Sequence, residues 1–92
     1  MQESFNCACG KKIRSRRLSL GLTQTKLGDS VGVTFQQIQK YEKGTNGVSA
    51  ERLLKIAETL KVNVLYFYKN YKPYFVVMEQ NDKSSSWKNM EW

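Results

Sequence analysis

The chain contains no histidine. That removes the commonest general base and the commonest metal ligand among side chains. Cysteine is scarce as well: the two present, Cys7 and Cys9, stand one residue apart. A lone C-x-C cannot complete a tetrahedral metal site without further Cys or His ligands. A disulfide between them would close a trivial loop, so two free thiols in a reducing compartment are expected. No apolar run approaches the roughly 18–20 residues that span a bilayer. Paired carboxylates at a useful spacing and a glycine-rich phosphate loop are also missing, so neither an enzyme nor a cofactor is expected. The opening "MQESFNCACGKK" places its charge after its weak apolar part. That is the reverse of a secretory leader, and a cytoplasmic protein is expected.

Acidic residues are the minority. Fifteen Lys plus Arg stand against eight Asp plus Glu, giving a net charge of +7. An excess of this sign favours an anionic partner, nucleic acid or an acidic membrane surface. The membrane fits poorly, because the basic run "KKIRSRR" has no strong apolar face opposite it. Within 92 residues, 40% of them apolar, there is material for one modest core.

The pattern along the chain is helical. Residues 1–9 show no periodicity and read as an arm. From Lys11, the spacing of Ile13, Arg16, Arg17 and Leu20 predicts a helix that Gly21 stops. Thr23 is an N-cap for "QTKLGDSV", with Leu27 and Val31 on one face. Gly28 lies inside that helix, where glycine costs about 1 kcal/mol against alanine; close approach by another helix backbone would explain it. Gly32 suits a left-handed turn. Thr34 and Gln37 form a T-x-x-Q capping box, opening a helix that runs to Gly44. Ser49 caps a strongly amphipathic helix whose stripe is Leu53, Ile56, Ala57 and Leu60. "VNVLYFY" is a further short helix or a strand. After Lys72-Pro73, "YFVVME" is β-prone with apolar residues on both faces.

Two short amphipathic helices joined by a glycine-bearing turn make a helix-turn-helix. Leu27, Val31 and Ile38 can pack together. Phe35, Gln36, Gln39 and Lys40 then face outward, where such a helix presents side chains to the DNA major groove. Glutamine can bond the N6/N7 edge of adenine, lysine can reach guanine or phosphate, and Phe35 suits a thymine methyl. Gln24 and Thr25, in the first turn of the preceding helix, are candidates for phosphate. So are Lys43, Thr45 and Asn46, which follow the recognition helix. Some of the basic run should meet phosphate as well, but Arg17 is expected inside, paired with Glu42.

"LGLTQTKLGDSVGVTFQQIQKYEKG" resembles the helix-turn-helix of the phage Cro/repressor (XRE-like) family of transcription regulators, over about Lys11 to Tyr68. The resemblance implies an all-α, five-helix domain, which makes "VNVLYFY" a helix. It also implies a homodimer on double-stranded, palindromic DNA, with base readers at Phe35, Gln36 and Lys40 and help from Gln39. By the same resemblance Gln24 grips phosphate and Arg17 pairs with Glu42. Phe35, Gly28 and Gly47 depart from the residues usual at those positions.

The expected division is an arm at 1–9, a DNA-binding domain at 10–71 and a tail at 72–92. The tail's β-strand-like segment 73–79 would dimerise through Tyr74, Phe75, Val76, Val77 and Met78. It could instead fold back on its own domain, or hold a protein partner as in an antitoxin-like or adaptor protein.

Overall fold

The computed structural model describes residues 3–71. Four α-helices follow one another: α1 (Phe5–Ser19), α2 (Gln24–Val31), α3 (Phe35–Lys43) and α4 (Ala50–Leu60). A single 3₁₀ turn, Val64–Phe67, comes next. No strand occurs among the described residues. Tyr74–Met78 and the rest of the tail lie outside them.

Each helix begins on a side chain that satisfies an orphan backbone donor. Ser4, Thr23, Thr34 and Ser49 accept from the N–H groups of Cys7, Lys26, Gln37 and Arg52. Of the Thr34–Gln37 capping box, the Thr34 half is present among the described residues. At the far ends, Gly32 and Gly44 close α2 and α3 with φ of 79° and 76°. Such angles are routine for glycine and strained for residues with a Cβ.

Two expectations need correction. The N-terminal segment is not an arm beyond its first residues, because α1 starts at Phe5, capped by Ser4. Its first turns carry no long apolar stripe. They are held instead by small residues against α3 and by Phe5, which stacks on Tyr68 at 4.8 Å and meets Tyr71 edge-on at 5.3 Å. The fifth helix is only a four-residue 3₁₀ turn. Its sequence is short and β-branched, and a helix of one turn gains too few hydrogen bonds to extend on its own. Phe67 nevertheless anchors it, with a fully buried ring.

The core gathers side chains from every element, with four from α4, two from each of the other helices and Phe67 from the 3₁₀ turn. Cys9 and Ile13 come from α1, Leu27 and Val31 from α2, Ile38 and Tyr41 from α3, and Leu53, Ile56, Ala57 and Leu60 from α4. Helix α3 packs against α1 and α2, while α4 packs against α2 and α1. Close approach is made possible by glycine. A Cβ on Gly10 would stand 2.3 Å from the Tyr41 carbonyl oxygen and 2.6 Å from that of Glu42, so α1 and α3 touch backbone to backbone there. At Gly28 the same test meets the Val33 carbonyl oxygen at 2.5 Å. The approaching backbone is thus the turn itself and not another helix.

Candidate nucleic-acid interface

Helix α3 has two faces. Ile38, Tyr41 and Glu42 are buried. Phe35, Gln36 and Lys40 are exposed, and Gln39 is half-buried beside them. Positions i, i+1, i+4 and i+5 share one side of a helix, so these four side chains form a single outward patch. Phe35 leaves 43% of its surface in water, an unusual position for a phenylalanine at a helix start.

The inward side of α3 ends in a charged pair. Arg17 Nε donates to Glu42 Oε2 at 2.6 Å and Nη2 donates to Oε1 at 3.0 Å. Arg17 Nη1 also donates to the Leu22 carbonyl at 2.8 Å. Gln24 Nε2 donates to Glu42 Oε1 at 3.1 Å. One guanidinium and one carboxylate therefore join α1, the entry to α2 and the end of α3. The bidentate geometry is the strong form of this interaction, and it satisfies both buried charges.

The candidate phosphate ligands divide by what already engages them. Thr25 and Lys43 are exposed and Gln24 is half-buried. Among the described residues, neither the Lys43 ammonium nor the Asn46 amide makes a hydrogen bond. Thr45 is different: its hydroxyl and its N–H both donate to the Lys40 carbonyl, at 3.2 and 3.1 Å. The Asn46 N–H reaches the same oxygen at 3.4 Å. The loop after α3 is thus folded onto the helix end, and the Thr45 hydroxyl proton is committed internally.

The basic run is largely structural. Lys12 Nζ donates to the carbonyls of Tyr66, at 3.2 Å, and Lys69. Arg16 Nε donates to the Leu60 carbonyl at 2.8 Å, at the end of α4. Arg52 does the same for Val31 at the end of α2. Cations at helix C-termini satisfy orphan carbonyls and complement the dipole. Lys11 pairs with Glu3 on the surface. Arg14 alone of the run is exposed and without a partner among the described residues. The share of this run expected at phosphate falls to its exposed members. The run's inward residues at i, i+4 and i+5 could have hinted at this, but which carbonyls they reach depends on tertiary placement.

Close relatives share this architecture. The helix-turn-helix family model matches residues 13–67, and the chain belongs to that family. An uncharacterized HTH-type transcriptional regulator of Sinorhizobium medicae is 57% identical over 61 residues, covering 66% of this chain and 44% of that protein. The chain thus spans less than half the length of that relative. The phage P22 c2 repressor, solved with a synthetic operator, matches with a TM-score of 0.63 and 33% identity, covering 66% of this chain and 92% of the repressor chain. The Corynebacterium glutamicum clp gene regulator ClgR matches with a TM-score of 0.70 and 25% identity over 73% of this chain and 87% of its own. The sequence resemblance to Cro/repressor-type regulators is therefore a family relationship.

Proposed function

We propose that this chain is a sequence-specific DNA-binding transcriptional regulator without catalytic activity, acting in the cytoplasm. Its α3 enters the major groove, and Phe35, Gln36, Gln39 and Lys40 meet base edges. Gln24, Thr25, Lys43 and Asn46 approach the flanking phosphates, and Thr45 joins them by turning the hydroxyl proton it gives to the Lys40 carbonyl out to a phosphate oxygen. The carrying observation is the joint outward display of Phe35, Gln36 and Lys40 on a helix whose other side is fixed by Ile38, Tyr41 and Glu42. The P22 repressor, a structural neighbour solved on an operator, supports the same reading.

The active form in this proposal is a homodimer on a palindrome, with half-sites about 34 Å apart. Two surfaces could supply the seam. One is the strand-prone Tyr74–Met78 segment. The other is an apolar groove of about 720 Å³ between α4 and the 3₁₀ turn, lined by Leu53, Leu54, Val64, Leu65 and Tyr68. Leu54 and Tyr68 in it are about half exposed, at 51% and 48%. Selection of bound duplexes from a random pool tests the proposal, since it yields sequence preference, symmetry and spacing together. Recovery of unrelated sequences at equal affinity would overturn it.

A further inference from the structure

Phe35 holds the first position of α3, directly after the capping Thr34. A phenyl ring gains nothing from water, yet 43% of this residue is exposed. It belongs to no ring pair among the described residues and to no part of the core. A single exposed apolar side chain is ordinary on a protein surface, so its place decides its meaning. Its neighbours on the outward side of the helix are polar: Gln36, Gln39 and Lys40. Within a patch that meets base edges, the phenyl can neither donate nor accept a hydrogen bond. Every base pair offers donors and acceptors in the major groove, and one apolar group projects there, the methyl on C5 of thymine. A ring laid on cytosine or uracil would desolvate polar edges and gain no methyl to cover. The same methyl stands on 5-methylcytosine, and the ring has no polar atom with which to tell O4 from N4.

We infer, on the footing of the proposed DNA-binding function, that Phe35 makes recognition depend on a 5-methylpyrimidine at one step of each half-site. Thymine and 5-methylcytosine satisfy it; uracil and cytosine do not. Gln36 and Lys40 read hydrogen-bonding groups, which methylation at C5 leaves in place. Phe35 reads the one group that methylation adds. Occupancy of a site carrying cytosine at that step therefore rises when the cytosine is methylated, and the state of the DNA becomes an input to the regulator.

The test uses the full chain and the duplex recovered by random-pool selection. Thymines are replaced one at a time by uracil, which removes the methyl and keeps the pairing. At one step of a half-site the affinity of the parent protein should fall about fourfold, the scale of one buried methyl group. The same replacement should leave the affinity of Phe35→Ala unchanged. Phe35→Leu, whose side chain is still apolar, should keep a penalty of about twofold. A second pair of duplexes carries cytosine or 5-methylcytosine at that step, each opposite guanine. The parent should bind the methylated duplex about fourfold more tightly, and Phe35→Ala should bind both alike. The ring supports no core, so thermal unfolding of Phe35→Ala should match that of the parent, which separates a lost contact from a lost fold. An undiminished uracil penalty in Phe35→Ala would assign the methyl to another side chain. A parent protein insensitive to uracil at every step, or a Phe35→Ala variant that binds the selected duplex as tightly as the parent, would take the ring off the bases. A protein that selects no duplex loses the DNA-binding proposal instead, so the two failures are distinguishable.

Discussion

Arg17 and Glu42 stand 25 residues apart in the chain, yet their Nε and Oε2 atoms lie 2.6 Å apart in the interior. Removing either partner strands a buried charge. Arg17→Ala and Glu42→Ala should each lower stability by about 3–5 kcal/mol. Replacing both by apolar residues of similar volume, Arg17→Met with Glu42→Leu, should lose much less than the sum of the single changes. Urea unfolding of the three variants measures this coupling. Additive losses would mean that the pair contributes no mutual stabilisation.

Gly10→Ala is expected to destabilise by about 1–3 kcal/mol, as overpacking does. Its new methyl would collide with two carbonyl oxygens of α3 that have no freedom to retreat. Gly21→Ala provides the contrast. Nothing lies within 4 Å of a Cβ there, although φ is +71°, so only the left-handed backbone penalty of about 1–2 kcal/mol remains. Urea midpoints should separate the two by mechanism. Gly10→Ala should also disturb α3, which near-ultraviolet dichroism of Tyr41 would register.

Base reading and charge attraction can be separated at the interface. Gln36→Ala should lose sequence preference and retain weak binding to any duplex, because an amide reads base edges and carries no charge. Lys43→Ala should weaken all sequences alike and reduce the salt slope by about 1. Competition titrations at several salt concentrations report both effects. Uniform weakening by Gln36→Ala would take Gln36 off the base-reading surface.

A chain ending at Tyr71 should sediment as a monomer if Tyr74–Met78 form the dimer seam. A dimer that survives truncation would direct attention to the groove beside α4. There Leu54→Asp, at a residue 51% exposed, should dissociate it without unfolding the domain.

The Cys9 thiol is raised from an ordinary value near 9.0 to about 11 by burial, which the nearby Lys12 charge only partly offsets. The folded state therefore keeps its proton where the unfolded chain releases it. This contribution to stability is complete below about pH 9 and declines as pH rises toward 11. Comparison with Cys9→Ala isolates it from other groups: the parent should lose more stability than the variant across that interval. Equal pH slopes would rule the thiol out as a contributor.

The sequence was most informative where a local signal and a tertiary contact agree. Thr23, Thr34 and Ser49 announce helix starts because capping is decided by neighbours three residues away. The α4 stripe announces its buried face through its 3.6-residue period. The first turns of α1 were not legible, since they are held by Gly10 against α3 and by Phe5 against Tyr68, and both partners are remote in the chain. For the same reason the bond from Gln24 to Glu42 could not be read from either residue alone. In the basic run two demands compete: charge attracts phosphate from a distance, but the carbonyls at a helix end claim Lys12 and Arg16 at contact.

The absence of a side chain at Gly10 has a mechanical consequence. With its backbone lodged against the carbonyls of Tyr41 and Glu42, α1 cannot roll or slide over α3 without opening the interior. The two helices behave as a single lever. If two copies must adjust to operators of differing length or curvature, the compliance has to reside in the joint between them or in the nucleic acid.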